Sequence, residues 1–94
     1  MTIGICKIEF YLPGLTSLKE KRSILKSMLK RLHNTFNVAT AEIDYHDSWQ
    51  SALIAVVTVS NSRAHTDQML NNILSWIESH YPEAMIVKQD IELL

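Results

Sequence analysis

The fold of this chain is decided by residues 38–60, which read VATAEIDYHDSWQSALIAVVTVS. Residues 38–45 alternate apolar and polar side chains, which is the period of a β-strand, and the polar tip around Asp47 predicts a turn. Residues 50–60 are rich in Ala, Val and Ile on both faces, which is typical of a strand inside a sheet rather than at its edge. The stretch therefore predicts a β-hairpin whose second strand is central.

The segment before the hairpin predicts a strand followed by a helix. Residues 3–12 alternate apolar and polar side chains, and Pro13-Gly14 ends this strand. Ser17 and Glu20 are spaced as a capping box, in which each side chain accepts a hydrogen bond from the other's backbone N–H. Leucines then recur at helical spacing until about residue 37. We therefore expect a first helix of about five turns.

The segment after the hairpin predicts a second helix and a last strand. Asn61 or Ser62 can cap this helix, Pro82 ends it, and residues 85–93 form a less regular strand. The order β-α-β-β-α-β contains two right-handed crossovers around the hairpin. The sequence thus predicts one α+β domain, residues 1–94. It is a ferredoxin-like sandwich with a four-stranded antiparallel sheet and two helices on one face of that sheet.

Composition narrows the class of protein. The chain has 94 residues, of which 47% are hydrophobic and 20% charged, as in an ordinary globular domain. Its longest continuous apolar run, Ala52–Val57, is too short to span a bilayer, and the N-terminus does not resemble a secretory signal. The single cysteine, Cys6, suits a reducing compartment. We therefore expect a cytoplasmic protein without a membrane partner.

The sequence contains no recognised motif for catalysis, metal binding or cofactor binding. It has no Walker loop, no CxxC and no G-x-S-x-G. Asp44, His46 and Asp47 lie at or beside the hairpin tip, but Asp44 and His46 are only two residues apart on one strand with no third ligand at a recognised spacing, and Asp is common in turns. We expect a non-enzymatic protein with no catalytic or metal-binding residues, no cofactor and no small-molecule substrate. An enzyme using these three residues is a distant alternative.

The positive charge of the chain is concentrated in the first predicted helix. Residues 17–32 carry six Lys and Arg residues against Glu20 alone, a formal charge of +5, whereas all other residues together carry −6. Four of the six are spaced by three, four and four, which places them on one stripe of the helix: Lys19, Arg22, Lys26 and Lys30. Such a stripe can neutralise the phosphates of RNA. The alternative is an ordinary solvated helix face.

Other residues are expected to support this RNA-binding or partner-binding surface. Lys21 and Arg31 lie elsewhere on the same helix and are expected to contribute less. His46 and Trp49 lie at the hairpin tip, which the topology places at the same end of the molecule as the start of the helix. The predicted surface thus joins one helix and one loop.

The uncovered face of the sheet supports a second hypothesis. The positions predicted to point outward on the first and third strands include a single aromatic residue, Tyr11, which is too few for the base-stacking platform of an RRM. An aliphatic centre inside a charged rim is instead typical of a protein interface. Its predicted residues are Ile5, Ile54, Val56 and Ile86. The alternative function is therefore a homo-oligomeric protein–protein adaptor, in which Val56→Asp would dissociate the oligomer. Scattered surface aliphatic residues would explain the same pattern.

Several motifs carry a resemblance that covers nearly the whole chain. They are L-P-G at 12–14, S-L-K-E-K-R at 17–22, F-N-V at 36–38, A-E-I-D at 41–44 and V-S-N-S-R-A-H at 59–65. The sequence resembles the YlxP-like family of small bacterial proteins of unknown function. The resemblance implies a ferredoxin-like fold and supplies no catalytic residues. Genes of that family commonly neighbour those of a translation initiation factor and a ribosome-binding maturation factor, which implies a role beside ribosomal RNA or a ribosomal subunit.

Overall fold

A computed structural model describes all residues from 1 to 94 and confirms the predicted order of elements. The elements are β1 (Thr2–Tyr11), α1 (Leu18–Thr35), β2 (Ala39–Asp44), β3 (Ser51–Ser60), α2 (Arg63–His80) and β4 (Met85–Leu93). The sheet order is β2-β3-β1-β4 and all pairings are antiparallel, as the ferredoxin-like topology requires. Neither α1 nor α2 combines the length and the apolar character needed to cross a bilayer.

Both helices begin at a serine cap. Ser17 Oγ accepts a hydrogen bond from Glu20 N, and Ser62 Oγ accepts one from His65 N, both at 3.2 Å. The reciprocal half of the predicted capping box does not form. The Glu20 carboxylate accepts instead from Thr16 Oγ1 at 2.8 Å, because the threonine hydroxyl lies one turn before it.

The two edges of the sheet are irregular. Ile43 in β2 and Val87 in β4 are each the extra residue of a bulge in the pairing with the neighbouring strand. Both side chains are exposed, by 43% and 52% respectively. Bulges at both edges interrupt the row of free backbone groups that would otherwise pair with another strand.

The hydrophobic core lies between the sheet and the two helices. On β1 it takes Cys6, Ile8 and Phe10, and opposite them in register on β3 lie Val56, Ile54 and Ala52. All six are fully buried. The helices complete this layer with apolar residues from both: Leu25, Met28, Leu32, Leu70, Ile73 and Ile77.

The close approach of α2 to β1 requires a glycine. A Cβ atom added at Gly4 would lie 2.4 Å from Thr66 Cγ2 and 3.1 Å from Leu70 Cδ1. Thr66 is itself buried and is held by a hydrogen bond from its Oγ1 to Ser62 O at 2.9 Å. The N-terminal half of α2 therefore packs directly on the backbone of β1.

The placement of the two faces of β3 corrects the sequence-based expectation. Ile54 and Val56 point toward the helices and have no exposed surface, whereas Leu53, Ala55 and Val57 occupy the open face. Since both faces of β3 are apolar, its sequence does not indicate which one the helices cover.

Candidate nucleic-acid interface on the first helix

The basic stripe of α1, defined as Lys19, Arg22, Lys26 and Lys30, is exposed along its whole length. The salt bridge of this structure involves Lys21 and Glu42, so no stripe residue has a carboxylate within 4.0 Å. At a rise of 1.5 Å per residue, the stripe extends for about 16 Å along the helix axis. It is therefore a continuous row of four cations that no acidic side chain neutralises.

The stripe is positioned by the two other sides of α1. Leu25, Met28 and Leu32 anchor the helix in the core. Ser27 and Arg31 mark the side that faces α2, because both form hydrogen bonds with Tyr81 Oη, at 2.8 and 3.1 Å. At 100° per residue, the stripe lies on the flank away from α2. On that side α1 packs over β2, where Thr40 Oγ1 donates to Leu29 O at 3.3 Å.

Acidic side chains are kept away from the stripe. Glu20 is the single carboxylate of α1, and the helical period places it more than a quarter turn from the stripe, on the side where it accepts from Thr16. Glu42 of β2 lies under α1, where its carboxylate forms a salt bridge with Lys21. A phosphate approaching the stripe therefore meets positive charge with little opposing negative charge.

Lys21 does not belong to the exposed surface, contrary to the sequence-based expectation. Its side chain has no exposed surface, its Nζ lies 2.9 Å from Glu42 Oε2, and it donates to Tyr45 O at 2.5 Å. Glu42 Oε2 has no hydrogen-bond partner apart from this ion pair. Lys21 follows Leu18 by three residues and precedes Leu25 by four, so it occupies the apolar seam. That spacing is visible in the sequence and could have revealed its burial.

Arg31 is exposed but is committed to the contact between the helices. Its guanidinium carbon lies 5.1 Å from the centroid of the Trp76 ring and 5.3 Å from that of Tyr81. Such cation–π contacts, together with the hydrogen bond to Tyr81 Oη, hold the guanidinium against α2. His80 stacks on Trp76 at a centroid distance of 4.3 Å. Arg31 is therefore better described as part of the helix packing than as a free phosphate ligand.

The hairpin tip lies beside the first half of α1, as predicted. The hydrogen bond from Lys21 Nζ to Tyr45 O connects them, and Tyr45 has a positive φ of 63° at this connection. Trp49 is 47% exposed. His46 is also exposed, and its Nε2 lies 3.2 Å from Glu42 O. Both predicted tip residues are thus accessible at the end of the molecule where α1 begins.

The side chains predicted as a metal or acid–base alternative do not converge. Asp44 Oδ1 accepts from Tyr45 N at 2.7 Å, which is a local turn contact. The structure contains no group of three or more His, Cys, Asp or Glu side chains arranged to hold a metal ion. Burial, followed by the charge of Asp90, raises the pKa of the Cys6 thiol to about 11, which keeps it protonated.

The predicted oligomer interface is mostly misplaced. Ile54 and Val56 are in the core, and Ile86 pairs with Phe10 and packs against the same core. Ile5 alone of the four lies on the open face, where its cross-strand neighbour is Val57. The aliphatic residues on the open face form a set that we name the open-face patch: Ile3, Ile5, Ala39, Ala41, Leu53, Ala55, Val57 and Val59.

Comparison with known proteins identifies the family. Residues 3–91 match the family described as "Protein of unknown function (DUF503)". The chain is also 42% identical over 81 residues to the Uncharacterized protein YlxP of Bacillus subtilis (strain 168), covering 86% of this chain and 87% of that protein. The chain belongs to this family. Membership confirms the resemblance found in the sequence and adds no activity, because the relative is itself uncharacterised.

Similarity to a solved structure supports the fold of this DUF503 chain and no other property. SnoaB of Streptomyces nogalater, described as a cofactor-independent oxygenase and crystallised as a mutant, aligns with a TM-score of 0.51. The alignment covers 99% of this chain and 90% of SnoaB at 9% sequence identity. At this identity the shared architecture does not transfer chemistry or site residues.

Proposed function

We propose that this DUF503 protein is a cytoplasmic, non-enzymatic binding module that contacts ribosomal RNA, or a ribosomal subunit, through the basic stripe of α1. The observation that carries the proposal is the row of four exposed cations without a carboxylate partner. His46 and Trp49 extend the surface at the hairpin tip. The family context described above favours RNA over an acidic protein as the partner.

The local charge distribution supports binding by a chain whose net charge is −1. Each stripe residue that neutralises a phosphate releases a condensed counterion, so affinity depends on the charge at the contact rather than on the total. The acidic side chains Asp44, Asp90 and Glu92 are exposed in β2 and β4, in the sheet, while the stripe belongs to the helix layer. With α1 docked on RNA, the helix layer separates the open face from the phosphates.

The test is co-sedimentation of the protein with separated ribosomal subunits at low and at moderate salt. The variant Lys19→Gln, Lys26→Gln, Lys30→Gln removes three stripe charges without changing the core, since all three side chains are exposed. The matched control Gln68→Glu, Asn72→Asp, Ser75→Asp changes the net charge equally on exposed positions of α2. We expect the first variant to lose binding and the control to retain it.

Salt dependence distinguishes a phosphate contact from other binding. Four phosphate contacts give a slope of log affinity against log salt of roughly −3 to −4. Equal binding by the two variants, or binding that does not change with salt, would exclude the stripe as the contact. Both variants must first show the circular dichroism and the urea midpoint of the unchanged protein.

A further inference from the structure

The open face of the sheet carries two adjoining kinds of surface. The open-face patch covers β2, β3 and the start of β1 with aliphatic side chains, of which Val59 is 59% exposed. Beside it, β1 and β4 present two cross-strand pairs of opposite charge: Lys7 opposite Asp90, and Glu9 opposite Lys88. None of these charges forms a salt bridge within 4.0 Å. The four therefore remain available to a partner.

The charged residues surround a shallow cavity of about 310 Å³. Its lining residues are Lys7, Glu9, Tyr45, Leu53, Lys88 and Asp90. Cations and carboxylates occur in equal number in this lining, which suits a partner that also carries both signs. A polyanion is disfavoured because Asp44 and Glu92 add further negative charge to the exposed parts of the edge strands.

We propose that the occupant of the open face is a second copy of this chain, packed sheet on sheet. The two copies are related by a two-fold axis that runs between the sheets, parallel to both and perpendicular to the strands. This operation keeps β1 over β1 and β4 over β4 while reversing the strand direction. If the axis passes between the Lys7 and Glu9 rows, Lys7 of one copy lies over Glu9 of the other. Asp90 then lies over Lys88 by the same rotation. The charge pattern is thus complementary to itself.

The axis also brings aliphatic surface together. Ala55 is opposite Lys7 in register and Leu53 is opposite Glu9, so Ala55 of one copy meets Leu53 of the other. Packed sheets keep their strand directions within about 30° of each other, and the contacts nearest the axis are displaced least by that twist. The charge contacts on β1 lie next to this axis, where their alignment is best preserved.

The open face approaches the area of a standard interface. The four strands contain 10, 6, 10 and 9 residues, which at about 4.8 Å between strands and about 3.4 Å per residue give a projected face of roughly 570 Å². Side-chain relief makes the accessible area larger than this projection, and a standard interface buries about 800 Å² per partner. The two copies of α1 would lie on opposite outer layers of the dimer. RNA binding by α1 therefore does not depend on this inference, and either can fail alone.

The first measurement is the molar mass in solution over a range of protein concentrations. We expect twice the 10.8 kDa of the chain, with dissociation on dilution. Leu53→Asp places a carboxylate against Ala55 of the other copy, next to the axis, and is expected to raise the dimer dissociation constant by at least ~100-fold. Gln68→Glu, on the exposed surface of α2, is the control and leaves the dissociation constant unchanged. A mass of 10.8 kDa at the highest soluble concentration overturns the proposal.

A charge-exchange experiment tests the axis itself. Lys7→Glu and Glu9→Lys each place like charges over each other twice in a homodimer, so each variant alone is expected to dimerise at least ~10-fold more weakly. Mixing the two variants puts Glu at position 7 over Lys at position 9, and Lys at position 7 over Glu at position 9. We therefore expect the mixture to form a heterodimer as tight as the unchanged dimer. A dissociation constant that neither substitution changes, or a mixture that stays monomeric, contradicts this geometry.

Discussion

The two faces of the sheet use the same strands for opposite purposes. Val56 and Val57 are neighbours in β3, yet Val56 is fully buried under the helices and Val57 lies on the open face. The same alternation separates Cys6, in the core, from the exposed Lys7. An apolar residue in β3 is therefore committed to the fold or available to a partner according to its parity in the strand.

The largest expected effect is the difference in stability between two single variants, one with a charge on the interior side of β3 and one with a charge on its open side. Val56→Asp buries a carboxylate in the apolar core beside Cys6 and should destabilise the fold by at least about 4 kcal/mol. Val57→Asp should cost under about 1 kcal/mol in the monomer, because its carboxylate stays hydrated. Urea unfolding of both variants at low concentration measures the difference. Equal midpoints would contradict the assignment of the two faces.

Lys21 extends the comparison to a charged residue on the interior side. Lys21→Ala removes the partner of Glu42 and leaves that carboxylate with 18% side-chain exposure and no cation, which should cost about 3 kcal/mol. Lys26→Ala, five residues further along α1 on the exposed stripe, should change stability by less than about 0.5 kcal/mol. Chemical denaturation of the two alanine variants gives both values. The double variant Lys21→Met, Glu42→Met is expected to recover most of the loss, since it removes both charges.

The two glycines provide a smaller contrast. Gly4→Ala forces the new methyl group against Thr66 and Leu70 on the interior side, and we expect a loss of about 1–3 kcal/mol as α2 shifts. Gly14→Ala meets no atom within 4 Å and should be nearly neutral. Thermal unfolding of both variants is the measurement. A neutral Gly4→Ala would show that α2 adapts to the added methyl group.

The smallest effect concerns reactivity rather than stability. Burial raises the pKa of Cys6 from 9.0 to about 11, so near neutral pH the folded protein holds about 100-fold less thiolate than an exposed cysteine. Alkylation of the native protein should therefore be slow and should rise with pH toward a midpoint near 11. In urea, where the protein is unfolded, the midpoint of the alkylation rate against pH should return to the ordinary thiol pKa of 9.0. Rapid alkylation of the folded protein at neutral pH would place Cys6 outside the core.

Lys21 and Arg31 are cations of α1 whose surroundings their charge alone did not predict. Their charge predicted a secondary part in the RNA-binding surface, although Lys21 is buried with Glu42 and Arg31 is held against Trp76 and Tyr81. For Lys21 the signal was present in its position on the apolar seam. For Arg31 it was absent, because the contact joins residues about fifty positions apart, and helical spacing says nothing about the neighbouring helix.

The sequence by itself determined the order of elements, the Ser17 cap, the hairpin and the exposed stripe of Lys19, Arg22, Lys26 and Lys30. These features follow from local periodicity, which residues within one helix or strand express without help from the rest of the chain. Only the tertiary structure decided which face of β3 the helices cover. Since both faces are apolar, a shift of one residue costs little locally. The choice is made by register with β1, whose interior face has one clear set of apolar residues.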